Sequence, residues 1–145
     1  MTSQAFSESV YLSFVTILMM GKLQLIKLGA EFDLTLVQTL TLLILAKTNE
    51  MPMSHLGKLY DCDASNVTGI VDGLEQKKLV SRRAHAKDRR VKMICLEPAG
   101  RKLQAKLIKR LSETSGYLFD PLTETEQVRF AKLMEKISPD LTELT

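Results

Sequence analysis

The sequence contains no tryptophan, two cysteines and two histidines. Each shortage excludes a class of protein. Cys62 and Cys95 are too few for a disulfide framework, and a chain without one fits a reducing, cytoplasmic setting. His55 and His85, with two separated cysteines, give no metal-ligand cluster, so neither metal nor cofactor is expected. There is no Gly-rich phosphate loop, no Gly-x-Ser-x-Gly elbow and no paired acid–base or nucleophile constellation. No residue is therefore nominated as catalytic, and the chain reads as something other than an enzyme. No apolar run reaches the ~18–20 residues that span a bilayer, and the N-terminus, MTSQAFSESVYLSF, has no early basic region of the secretory kind. No membrane partner is expected. Low-complexity stretches and internal repeats are also missing.

What is present is a 45% hydrophobic chain of 145 residues, enough for one domain with a real core. The informative stretch is Tyr60 to Leu96, YDCDASNVTGIVDGLEQKKLVSRRAHAKDRRVKMICL. Asp63 is suited to cap a helix, because its carboxylate can accept from the free amides of a first turn. Behind it, Val67, Ile70, Val71 and Leu74 recur at helical spacing as one apolar face. The opposite face carries Ser65, Gly69, Asp72, Gly73 and Gln76, flanked by Asn66 and Thr68. Gly69 and Gly73 each cost helix stability by roughly 1 kcal/mol relative to Ala. Two glycines on that face imply that something approaches the backbone closely. A DNA major groove admits one helix, and short polar side chains near its N-terminus can meet base edges.

Past this helix, Leu79 to Arg83 and Val91 to Leu96 have strand character, with a polar loop, Ala84 to Arg90, between them. From Lys77 to Lys92 there are eight Lys or Arg and one Asp, a net +7 in a chain whose total is +3, so the remainder carries −4. A concentrated basic hairpin beside a capped helix of small residues is what phosphate binding requires.

These residues resemble the MarR family (multiple antibiotic resistance regulators) of winged helix-turn-helix transcription factors. Asp88-Arg89-Arg90 is similar to the family's Asp-x-Arg wing signature, and Val71 to Glu75, Leu79 to Arg83, Ile94-x-Leu96 and Gly100 match the runs around it. The resemblance extends over nearly the whole chain. It implies a mainly α fold with a small antiparallel β wing. Residues 31–97 would form the DNA-binding lobe, and residues 1–30 and 98–145 the dimerisation helices, within a single domain over 1–145. It also implies that Arg90 enters the minor groove, held by a charge-assisted bond from Asp88. Glu97 departs from the pattern, standing where the family usually has a capping Thr; Pro98 at the first helical position compensates.

The remaining chain reads as support and pairing. Residues 6 to about 28 form one helix, with Phe6, Val10, Phe14, Ile17, Leu18 and Leu25 on a stripe that Met19, Met20, Leu23 and Ile26 widen. A helix apolar over so much of its circumference needs more than one partner surface, and a second subunit is the natural other. Thr35 and Gln38 form a capping box for an apolar, buried second helix. Asn49 to Met53 is a connection, Ser54 caps a short helix through Tyr60, and Asp61-Cys62 is the turn of the helix-turn-helix. Pro98 starts a helix through about Phe119, broken by Asp120-Pro121, and Thr123-x-x-Glu126 caps a last helix to about Leu141.

The resulting expectation is a homodimeric repressor on double-stranded DNA. Two reading helices one turn apart imply a pseudo-palindromic site. Ser65, Asn66, Thr68 and Gly69 read the major groove. Arg90, tethered by Asp88, reads the minor groove, and Ser54, Arg83, Lys87, Arg89 and Lys92 position phosphates. Asp72 pairs with Arg82 or Arg83 and does not face phosphate. The methionines suit an adaptable pocket, and the resemblance implies a small aromatic or phenolic effector as a further partner. A family relative working through protein partners, an architectural DNA role and a thiol sensor are the alternatives. Against the last, Cys62 is expected to be buried and inert in the turn, and Cys95 to be exposed on the wing strand.

Overall fold

The computed structural model describes residues 3–138. Along the chain it forms α1 (Ser3–Glu31), α2 (Leu36–Thr48), β1 (Glu50–Pro52), α3 (Met53–Tyr60), α4 (Ala64–Gln76), β2 (Val80–Ala84), β3 (Lys92–Leu96), α5 (Pro98–Thr114), α6 (Gly116–Phe119) and α7 (Glu124–Ile137). The side chain of Phe6, and Leu141 as the end of the last helix, fall outside the described residues.

Local chemistry sets most helix ends. Thr35 and Gln38 make the expected reciprocal box at α2, as do Thr123 and Glu126 at α7. Asp63 accepts from the Asn66 amide at 2.8 Å and opens α4. Pro98 is the first residue of α5, and the Glu97 side chain makes no cap there. At α3 the expectation fails: Pro52 holds the cap position with no side-chain bond, and Ser54 lies inside the helix. The fixed φ of Pro52 directs the chain into α3 instead.

The connection before α3 contains β1, which sequence reading missed. β1 is an edge strand in a three-stranded antiparallel sheet of order β1-β3-β2, with Met51 opposite Ile94 and Val80 opposite Leu96. An edge is where a strand tolerates a proline. In the central strand β3, Cys95 stands between Glu50 of β1 and Ser81 of β2 and is buried, contrary to expectation. The core is closed by Leu42 and Leu45 of α2, Leu56 of α3, Val71 and Leu74 of α4, Ile94 of β3 and Leu107 of α5, all without solvent contact. Among the described residues the buried Thr48 hydroxyl has no partner, but other polar groups inside are paired: the Gln104 amide donates to the Leu42 carbonyl, and the hydroxyls of Tyr60 and Thr41 lie 3.0 Å apart. Burial pushes the Tyr60 phenol up from its ordinary pKa.

The terminal helices behave differently. Only the C-terminal end of α1 packs against α2 and α5, tied by Glu31 to Arg110 at 3.1 Å. From Val10 to Ile26 its large apolar side chains are exposed, except Leu25, which packs against the core, and so are Val128, Leu133, Met134 and Ile137 of α7. The helix expected from Pro98 to about Phe119 breaks earlier, at Ser115, so that α6 is a separate turn. The reading that no stretch is long and apolar enough to cross a membrane also needs correction. Ser7–Glu31 meets that measure by length and composition, with a mean hydropathy of 1.5.

Candidate nucleic-acid interface

The turn between α3 and α4 is built from the backbone. Asp61 adopts a left-handed conformation, φ 48°, and the Cys62 amide donates to the Gly57 carbonyl at 3.0 Å. This sets α4 with Val67, Val71 and Leu74 buried and Ser65, Asn66, Thr68 and Gly69 exposed, as the spacing predicts. The two glycines divide. A Cβ on Gly73 would collide with the side-chain amide of Gln38 on α2, so that glycine serves packing within the chain. A Cβ on Gly69 would meet nothing within 4 Å.

The wing is β2, β3 and the loop Ala84 to Val91. The His85 amide donates to the Val91 carbonyl at 2.9 Å, and the His85 ring Nδ1 accepts from the Lys87 and Asp88 amides at 3.3 and 3.4 Å. His85 therefore organises the tip. Asp88 accepts from the Arg90 amide at 3.0 Å and from Arg90 Nε at 3.2 Å. Those bonds, the backbone one first, hold its carboxyl below the usual carboxylate range. The Arg90 side chain is 93% exposed. It is an aimed, solvated cation.

The basic run is less uniform than its count. Arg82 bonds Asp72 at 2.5 Å, Glu75 by two contacts and the Thr68 carbonyl at 3.1 Å, so the base of the wing is fastened to α4. The expected partner of Asp72 is thus Arg82. Arg83 pairs with Glu97 at 2.8 Å, and Ser81 donates to the same carboxylate at 2.5 Å. These bonds, Ser81 foremost, lower the Glu97 pKa. Lys77 is tied to Asp33 at 2.5 Å. Among the described residues, Lys78, Lys87, Arg89 and Lys92 make no salt bridge. Arg83, expected on a phosphate, is instead committed by the fold to an acid outside the predicted set.

Between α3, α4 and the wing lies an open cleft of about 900 Å³ that gathers Ser54, Lys58, Asp63, Thr68, Arg90 and Lys92. Ser54, Thr68, Arg90 and Lys92 were expected there; Lys58 was not. It follows Ser54 by four residues on α3, and that spacing was the available signal. Cys62 also lines this cleft, half-buried where full burial was expected. Cys95 lies 3.6 Å from a Glu50 carboxylate oxygen, and burial, then that acid, pushes its thiol up.

A helix exposed on one face, an aimed wing arginine and a basic cleft between them form a winged helix-turn-helix reading head. The MarR family model matches residues 34–92, which span α2 to the start of β3. Residues 34–92 thus carry a MarR-type domain, and the whole chain is similar to transcriptional regulators of that type. MarR regulators are DNA-binding transcription regulators and not enzymes, and the match of residues 34–92 supports the same class here. It is 28% identical over 113 residues, 78% of this chain and 71% of the relative, to YhbI of Bacillus subtilis, an uncharacterized HTH-type transcriptional regulator. A mutant of MepR from a multidrug-resistant clinical isolate of S. aureus is similar at 27% identity and TM-score 0.74, covering 94% of this chain and 97% of that one. A MarR transcriptional regulator from Methanosarcina mazei shares the fold at TM-score 0.76 and 19% identity, over 90% and 94% of the two chains.

Proposed function

We propose that this MarR-type regulator is a cytoplasmic homodimeric repressor that holds a pseudo-palindromic operator until a small aromatic or phenolic ligand releases it. The observation that carries the dimer is the uncovered apolar surface at both ends of the chain. Val10, Leu12, Phe14, Ile17, Leu18 and Leu23 of α1 are exposed, as are the apolar residues of α7. Contiguous apolar surface on this scale marks an interaction site, and one interface made by residues 1–30 and 98–145 would cover both.

In each subunit Ser65, Asn66, Thr68 and Gly69 read the major groove, and Arg90 with Asp88 reads the minor groove. Ser54, Lys87, Arg89 and Lys92 hold phosphates, as does Arg83 once phosphate displaces Glu97. The effector has a candidate seat in an open cavity of about 410 Å³ lined by Met20, Leu23, Gln24, Lys27, Leu28, Glu31 and Thr114, where α1 meets the end of α5. The buried, acid-flanked Cys95 speaks against a thiol sensor.

The test is selection of bound sites from random DNA with and without phenolic ligands, alongside sedimentation of the free protein. Enriched inverted repeats and a two-chain mass support the reading. A single-chain mass, or binding only to lipid vesicles through α1, overturns the dimer. Binding that a ligand does not weaken removes the effector.

A further inference from the structure

Gly69 poses an energetic question that the fold of the single chain does not answer. A glycine in a helix interior costs stability relative to alanine. Gly73, one turn later, has the Gln38 side-chain amide against it, and a Cβ there would force that amide to move. Gly69 has open space where a Cβ would stand, so alanine would fit without strain. Beside it, the Thr68 hydroxyl donates to the Ala64 carbonyl at 2.8 Å. Its proton is spent inside the helix and cannot serve a base. What Thr68 still offers outward is a methyl group and an acceptor oxygen. No lysine or arginine occurs between Ala64 and Gln76, so α4 lacks the side chains that most often read guanine.

Resting on the DNA-reading role already proposed for α4, we propose that the Thr68 methyl and the bare Cα of Gly69 together form a seat for a thymine C5-methyl group in each half-site. The seat is a specificity-determining contact of apolar type. Glycine is kept at position 69 because a Cβ there would fill the space the thymine methyl occupies. Each half-site then carries a fixed A·T pair opposite Thr68, and guanine is not selected at that step.

The experiment uses the full-length protein and the operator obtained by selection. Each thymine in turn is replaced by deoxyuridine, which deletes only the C5-methyl, and affinity is measured for the native protein and for Gly69→Ala and Thr68→Ser. Thermal unfolding of each protein is recorded in parallel. One position per half-site should weaken about fourfold for the native protein, the weight of one methyl group removed from water. Gly69→Ala should melt at a higher temperature than the native protein yet bind the thymine operator less tightly, and both variants should lose the response to deoxyuridine at that position. A native protein indifferent to every methyl deletion, or variants that keep the same response, overturns the seat. Failure to enrich any sequence would instead overturn the operator-binding reading beneath it.

Discussion

The central lobe and the terminal helices use the same kinds of side chain and treat them in opposite ways. Leu42, Leu56, Leu74 and Ile94 have no exposed surface, whereas Leu18 is 55% and Ile137 67% exposed. The lobe from α2 to Leu107 satisfies its own apolar surface and pairs the buried Gln104, Thr39 and Thr41 side chains. The ends do neither alone. Single hydrophobic residues are commonly left in water, but a whole face of them is retained only where something covers it. The winged helix-turn-helix therefore belongs to a unit that is closed within one chain, and in the proposed dimer its placement relative to a second one would belong to the part that is open.

The sharpest way to break this contrast is to put charge on the open part. Leu18→Asp combined with Ile137→Asp should leave single chains at micromolar concentration in sedimentation. Each buried carboxylate would cost several kcal/mol in a dimer interface, and a persisting dimer would place the interface elsewhere. Next in size, Leu74→Ala in the closed lobe should cost about 2–5 kcal/mol in denaturant unfolding. A loss below that range would show the lobe to be less tightly closed than its burial implies. Arg90→Ala should weaken operator binding by about 1–3 kcal/mol, roughly 10- to 100-fold, in a gel-shift titration while the dimer mass stays unchanged. Asp63→Ala should lower stability by about 1 kcal/mol through loss of the α4 cap, with a smaller effect on dimerisation than any change on α1.

The smallest effect concerns pH. Asp88 has a depressed pKa, so its bonds to Arg90 are complete above the ordinary carboxylate range and are lost only as pH falls through the lowered value. Affinity due to this pair should not change between about pH 5 and 8. Asp88→Asn should weaken binding throughout that window, and an affinity that rises or falls within it would show that the Asp88–Arg90 pair is not what sets the pH response.

Much of the head was legible because its determinants are local. The Asp63 cap, the 3.6-residue spacing of Val67, Val71 and Leu74, and the wing strands need only neighbouring residues to be read. Residues whose roles depend on distant partners were misread. β1 exists through pairing with β3, and no three-residue segment announces that. Cys95 looked exposed because alternation along a strand does not show the neighbours on either side, here Glu50 of β1 and Ser81 of β2, between which it is buried. Gly73 looked like Gly69 until Gln38, thirty-five positions away, was found against it. That Arg83 already holds an acid, Glu97, was hidden for the same reason, because charge counts do not show which cations are paired within the chain.

The Arg82 contacts to Asp72, Glu75 and the Thr68 carbonyl reach further than their size. With helix and hairpin bolted together at that point, neither can be tilted alone without stripping a guanidinium of its carboxylates. In the dimer proposed above, a signal that silences the protein would then have to alter the gap between two rigid jaws, as on a caliper, and leave the shape of each jaw as it was.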